Sequence, residues 1–248
     1  MTRLFAAARI LFGFSIVVFG LEYLLFGRFA EGLPPAPPWT PGAPVLAYLL
    51  GIALVILGAG IALARRTDLC ALGVAAIFLF CVVILHTPHL RAILQSGVDR
   101  TRAFEPLGIG AAALVLASHG VARRHWADLL GRLLFAFSML IFGEQHFQYV
   151  PFIAPLIPGW IPLHVAWVYL TGVVFLLSAM FIAFNFFRSV AALLLGFMFL
   201  LWFLLLHLPR CFHQPRNYDE WTSAVVALIF AAASFLIAAP RKSIQTSR

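Results

Sequence analysis

Eight runs of apolar residues, separated by short polar or proline-rich stretches, set the pattern of the chain. They cover roughly residues 4–27, 43–64, 69–88, 104–121, 129–150, 161–185, 188–209 and 220–239. A helix of ~20 residues crosses a hydrocarbon layer ~30 Å thick, so each run predicts one transmembrane helix. The runs are continuous and do not alternate with polar residues, which excludes a transmembrane β-barrel. The longest polar gap, 88–104, leaves no room for a soluble domain. The expected fold is all-α, a polytopic membrane protein of about eight transmembrane helices.

The pattern repeats at an offset of 121–123 residues. Arg9-Ile-Leu-Phe-Gly-Phe-Ser15 matches Arg132-Leu-Leu-Phe-Ala-Phe-Ser138, and Phe19-Gly20 matches Phe142-Gly143. Trp39-x-Pro41, Tyr48-x-x-Gly51 and His86-x-Pro88 return as Trp160-x-Pro162, Tyr169-x-x-Gly172 and His207-x-Pro209. Glu105 pairs with Glu220 if one loop shortens. The order of matches predicts two four-helix repeats, 1–123 and 124–248. Each holds an even number of helices, so the copies are parallel, related by a pseudo-two-fold axis along the membrane normal. Transporters contain such repeats, but a repeat alone does not establish transport.

Composition agrees with lipid as the solvent. The chain is 63% hydrophobic and 10% charged, where soluble domains carry about 25% charged residues. The net charge of +8 is distributed between apolar runs, not along one aromatic-interleaved stripe, and predicts no nucleic-acid binding. Eleven of the 17 basic residues fall on one side: Arg3, Arg9, Arg65, Arg66, Arg123, Arg124, Arg132, Arg188, Arg241, Lys242 and Arg248. By the positive-inside rule that side faces the cytoplasm, as do both termini. The expected location is the inner (plasma) membrane, with the lipid bilayer as the first partner. Arg3 and Arg9 ahead of an apolar run resemble the start of a signal peptide. The run is too long for that, lacks a small-x-small site and has a copy mid-chain, so it predicts a retained helix.

The outward loops are rich in proline: Pro34, Pro35, Pro37, Pro38, Pro41 and Pro44 in one, Pro151, Pro155, Pro158 and Pro162 in another. The uncharged stretch 152–161 predicts an interfacial segment, with Trp39 and Trp160 in the aromatic belt. Cys70, Cys81 and Cys211 are too few and too scattered for an iron–sulfur or four-cysteine zinc site, and no Cys-x-x-Cys is present. His207-x3-Cys211-x-His213 is a weak metal string because Pro209 interrupts its helix. No metal is expected.

Ionisable residues inside the runs are the candidates for chemistry. Glu144 and His146 sit near the outward end of the fifth run, with Glu22 and Tyr23 at matching places in the first. Residues two apart on a helix are turned by about 200°, so Glu144 points with Gln148 and His146 with Tyr149. Boundary anchoring explains these residues as readily as function does. His86 and His207 end their runs just before a proline. They are read either as helix C-caps, or as haem, metal or quinone ligands facing each other across the pseudo-symmetry axis. Nothing enforces the close approach that haem ligation needs. Glu105 and Glu220 are read as helix N-terminal carboxylates or as members of a cluster with Glu22, Glu144 and the two histidines.

An Arg-led apolar helix ending Phe142-Gly-x-x-His146, followed by Trp160-x-Pro162 and Tyr169-x-x-Gly172, resembles the DoxX/DoxD-like membrane family. The resemblance extends over the whole chain as two units, and 142–172 is the closest part. Members related to thiosulfate:quinone oxidoreductase subunits imply a quinone-linked redox role. More distant relatives include maturation factors and Surfeit-locus cargo receptors. No catalytic residue carries over. The resulting expectation is a quinone-linked redox subunit or accessory protein, with electrons supplied by a partner protein. His86, His207 and Tyr23 are the candidate quinone contacts, Glu22 and Glu144 the proton acceptors, and His146, Glu105 and Glu220 further candidates. The alternative is a non-enzymatic carrier or assembly factor.

Overall fold

The structure is a computed structural model that describes residues 3–27, 43–119, 121 and 124–239. Trp39, the prolines 34–41 and the basic residues Arg28, Arg123, Arg241, Lys242 and Arg248 lie outside the described residues.

The described chain is helical throughout. Its α-helices are α1 (Arg3–Phe26), α2 (Ala43–Ala62), α3 (Thr67–Cys81), α4 (Leu90–Gln95), α5 (Gly97–Ser118), α6 (His125–Gln148), α7 (Val150–Ile153), α8 (His164–Ala183), α9 (Arg188–Trp202), α10 (Leu208–His213) and α11 (Tyr218–Ala238). Among the described residues, seven helical segments are long and apolar enough to cross a membrane: α1, Pro44–Ala62, Thr67–Gln95, α6, α8, Arg188–His213 and α11. α5 is comparably long but carries Asp99, Arg100, Arg102 and Glu105 in its first half.

Within the first half α1 packs on α2, α2 on α3 and α3 on α5. Within the second, α6 packs on α8, α8 on α9 and α9 on α11. Two seams join the halves crosswise, α5 against α6 and α11 against α1, and α5 touches α11 between them. Small side chains let helices converge there: Ala111–113 and Ala231–233 are fully buried. The outside remains apolar, with Leu25 and Phe184 more than three-quarters exposed, as suits a lipid-facing wall.

Glycine sets the α1–α2 contact. A Cβ on Gly13 would lie 2.7 Å from the Gly58 oxygen, and one on Gly20 2.7 Å from the Gly51 oxygen. The helices therefore touch backbone to backbone. In the second half a Cβ on Gly143 would meet the Leu176 side chain at 2.7 Å, and Ala136 and Ala179 stand at the places of Gly13 and Gly58.

Two arginines tie helix ends. Arg9 donates to the Ile61 and Ala62 carbonyls, the latter at 2.7 Å. Arg132 donates to the Ile182 and Ala183 carbonyls at 2.9 and 3.4 Å. Each satisfies terminal carbonyls that its partner helix leaves free. The turns after those carbonyls also match: Ala64 and Arg66 have φ of 57° and 49°, Asn185 and Phe187 58° and 47°.

The structure corrects three expectations. The 88–104 gap is not a loop: it holds α4 and the start of α5. His86 and His207 are not C-caps, because their helices continue past the prolines. Pro88 and Pro209 lack an N–H, and their rings clash with the carbonyls four residues back. The chain responds with one wide turn, Val82–His86 and Phe203–His207, in which the next N–H reaches back five residues, Thr87 to Val82 and Leu208 to Phe203. Glu105 is likewise not N-terminal. α5 begins at Gly97, capped by Ser96, whose hydroxyl accepts from the Asp99 amide at 3.3 Å.

Of the stretch 152–161, the first part ends α7 and makes a 3-10 turn at Ala154–Leu156, and 157–161 is irregular. Ile157 and Ile161 bury against Val168, with Trp202 alongside.

Candidate functional site

The polar side chains singled out from the sequence gather at one end of the bundle, in groups on different seams. The first lies where α1 meets α11. Glu22 is buried near the C-terminal end of α1, and its Oε2 accepts from the Thr222 hydroxyl at 3.2 Å. Thr222 comes from the first turns of α11, which starts after an Asn217 cap. Tyr23, buried on α1, lies within electrostatic reach of Tyr218, Cys81 and Glu22. Phe26 packs on the Tyr218 ring at 4.3 Å. Close by, Arg210 donates to Glu220 at 2.7 Å, and the Cys211 thiol donates to the Glu220 carbonyl at 3.3 Å. Both Glu220 and Glu22 are within electrostatic reach of that thiol.

The second group lies where α5 meets α6. Arg100 pairs with Glu144 at 2.5 Å and also holds the Ile93 and Leu94 carbonyls of α4. Gln148 donates to the same carboxylate. Gln145 donates to the Gly97 carbonyl at 2.7 Å and to the Thr101 hydroxyl at 3.1 Å. His146 turns elsewhere. Its Nδ1 lies 2.7 Å from the Phe142 carbonyl, and its ring packs on Phe175 at 5.1 Å.

These contacts revise the pairing read from sequence. Counted from their caps, Thr101 and Thr222 occupy the same place on α5 and α11. Thr222 holds Glu22 and Thr101 holds Gln145. Gln145, not Glu144, therefore stands where Glu22 does, and Asp99, not Glu105, stands where Glu220 does. The expected cluster of four carboxylates and two histidines does not form. Glu22 and Glu220 share one seam and Glu144 the other. Glu105 lies inside α5, within electrostatic reach of Arg102.

His86 and His207 are not brought together. The wide turn bearing His86 packs on α5 and the one bearing His207 on α11. His86 has His89, Asp99 and Arg102 within electrostatic reach, and His207 has Arg210. His86 Nε2 and His207 Nδ1 are buried and make no hydrogen bond among the described residues. Among the described residues, no group of three or more His, Cys, Asp or Glu could hold a metal ion.

Sequence reasoning missed Thr101, Thr222, Gln145, Arg100 and Tyr218. The capping signals Ser96-x-x-Asp99 and Asn217-x-Asp219, read as helix starts, would have set the register that brings the first three into view.

An open groove of about 710 Å³ runs beside the start of α8, lined by Gly159, Ile161, Pro162, Leu163, His164 and Tyr169. It lies apart from both polar seams. No family model, no curated protein and no solved structure matches this chain.

Proposed function

We propose that this chain is a quinone-linked redox subunit or accessory protein of the inner membrane, built as two parallel four-helix repeats with α5 as an eighth crossing. The observation that carries the reading is the α1–α11 seam. It holds a carboxylate, Glu22, buried within a membrane-length helix and bonded only to a threonine hydroxyl among the described residues, with the phenols of Tyr23 and Tyr218 beside it. An intramembrane carboxylate is costly and points to a site. A carboxylate beside phenols suits proton exchange with a quinol headgroup held at that depth. The resemblance of 142–172 to the DoxX/DoxD-like family supports the same class. The basic residues of the turns at 65–66 and 124 and at the start of α9 support cytoplasmic termini.

The chain has no recognisable cofactor motif of its own, so a partner protein supplies the electrons in this reading. The test is solvent extraction and quinone analysis of the protein purified in mild detergent, with a dithionite-reduced minus oxidised spectrum. Co-purifying quinone that falls severalfold in Glu22→Gln, at unchanged elution and helicity, supports the proposal. A quinone-free extract from protein purified in native lipid discs rejects it and leaves the carrier or assembly alternative.

A further inference from the structure

The two wide turns that end in histidine are the feature the α1–α11 seam does not use. They fall at the same place in each half, Val82–His86 and Phe203–His207, and each places an imidazole at its last position. Such turns inside α-helices are frequent at functional sites. A buried nitrogen without a partner also requires an explanation. His86 Nε2 and His207 Nδ1 are both in that condition among the described residues, and the His86 side chain is only 8% exposed.

We infer that the chain carries two separate headgroup sites, one at each histidine turn, each presenting one imidazole to one carbonyl-bearing, membrane-soluble molecule. The inference rests on the quinone reading above and divides it between the halves. α3 packs on α5 and α9 on α11, and α5 and α11 touch between them. One ligand therefore does not bridge the two rings.

Access is from lipid. Val83 and Ile84, on the first turn, are 59% and 50% exposed, and Leu204, on the second, is 48% exposed. Hydrocarbon therefore lies against the outer face of each turn, and because the two nitrogens themselves have no accessible surface, a molecule dissolved there reaches an imidazole when the side chains of the turn part. The chemistry selects a carbonyl over an anion or a metal ion. The turns, Val-Val-Ile-Leu-His and Phe-Leu-Leu-Leu-His, offer one polar group in an apolar setting. Desolvating a full charge there is costly. Arg102 lies within electrostatic reach of His86, together with Asp99 and His89, and Arg210 lies within reach of His207. Each of these cations is already paired with a carboxylate, Arg102 with Asp99 at 3.9 Å and Arg210 with Glu220 at 2.7 Å, so neither site holds a free charge that would select an anion. A neutral imidazole N–H then donates to the quinone oxygen, or its bare nitrogen accepts from the reduced hydroxyl.

The experiment is a titration of full-length protein in lipid discs with a short-tailed benzoquinone, reading bound equivalents and the carbonyl infrared band. Two equivalents per chain, each with a carbonyl band lowered by hydrogen bonding, are expected at the histidine turns of the unaltered protein, beyond any held at the α1–α11 seam. His86→Leu and His207→Leu each lose one of the two, and the double variant loses both. One equivalent in the unaltered protein, lost in either single variant, overturns the two-site inference and leaves the quinone reading standing. Two equivalents retained in the double variant also overturn it. No bound benzoquinone in the unaltered protein overturns the functional reading and this inference together. The infrared count needs no variant, so the outcome stands even if a substituted chain misfolds.

Discussion

Arg9 and Arg132 lie 123 residues apart and each grips the last two carbonyls of a neighbouring helix end, Ile61 and Ala62 or Ile182 and Ala183, yet their surroundings differ. Beside Arg132 stands Asp128, paired to it at 3.2 Å and approached by Arg188 at 3.7 Å. In the first half the corresponding residue is Phe5, stacked on His119 at 4.5 Å, and Arg9 Nε is buried without a hydrogen bond among the described residues. The seams differ likewise: Glu22 opposes Thr222 where neutral Gln145 opposes Thr101. So do the close helix pairs, backbone on backbone at Gly20 and backbone on a leucine at Gly143. The lesson is that the first half keeps a backbone-on-backbone contact between its first two helices and the buried carboxylate, whereas the second keeps the buried ion pair.

Swapping or removing the distinguishing residues tests that division. The largest effect is expected from Arg132→Met, which leaves Asp128 buried without its nearest cation. Breaking a buried pair costs ~3–5 kcal/mol, against ~1–2 for Arg9→Met, which forfeits only hydrogen bonds to carbonyls. Unfolding of each variant by steric trapping in bicelles checks the ranking, and equal losses would refute it. Next comes Gln145→Glu, which loses the donor to the Gly97 carbonyl and turns an acidic oxygen toward it. A cost of ~2–3 kcal/mol is expected, while the reverse change, Glu22→Gln, keeps an acceptor for Thr222 and stays within ~1. Gly20→Ala should cost ~1–3 kcal/mol by overpacking. Its new methyl meets backbone, whereas that of Gly143→Ala meets a leucine end that rotates aside. Comparing their melting temperatures in one detergent exposes the difference. The smallest effect is a gain: Ala64→Gly relieves a left-handed φ of 57°, worth up to ~1 kcal/mol. The same change at Asn185 gains less, because asparagine tolerates that region.

Apolar run lengths made most of the helices legible, because crossing a fixed thickness imposes them on the sequence. Helix ends were harder. Pro88 and Pro209 read as terminators, but a proline after a wide turn only bends the helix. The length of the apolar run cannot distinguish the two outcomes. The start of α5 was hidden by its charges, Asp99 to Glu105, which mimic a loop. Their helical state follows from the Ser96 cap and from partners on α4 and α6, such as Glu144 and the Ile93 carbonyl. Glu22 was legible as a candidate because it interrupts an apolar run. Its partner was not, since Thr222 lies 200 residues away and no local spacing connects them.

That separation also has a consequence in time. Each half completes its contacts by lodging its last helix against the first helix of the other. α1 therefore enters the membrane long before α11 exists to cover it. At ~5–20 residues per second of synthesis, Glu22 waits about 10–40 s for Thr222, and through that interval it must be shielded by water, by lipid headgroups or by whatever attends the nascent chain.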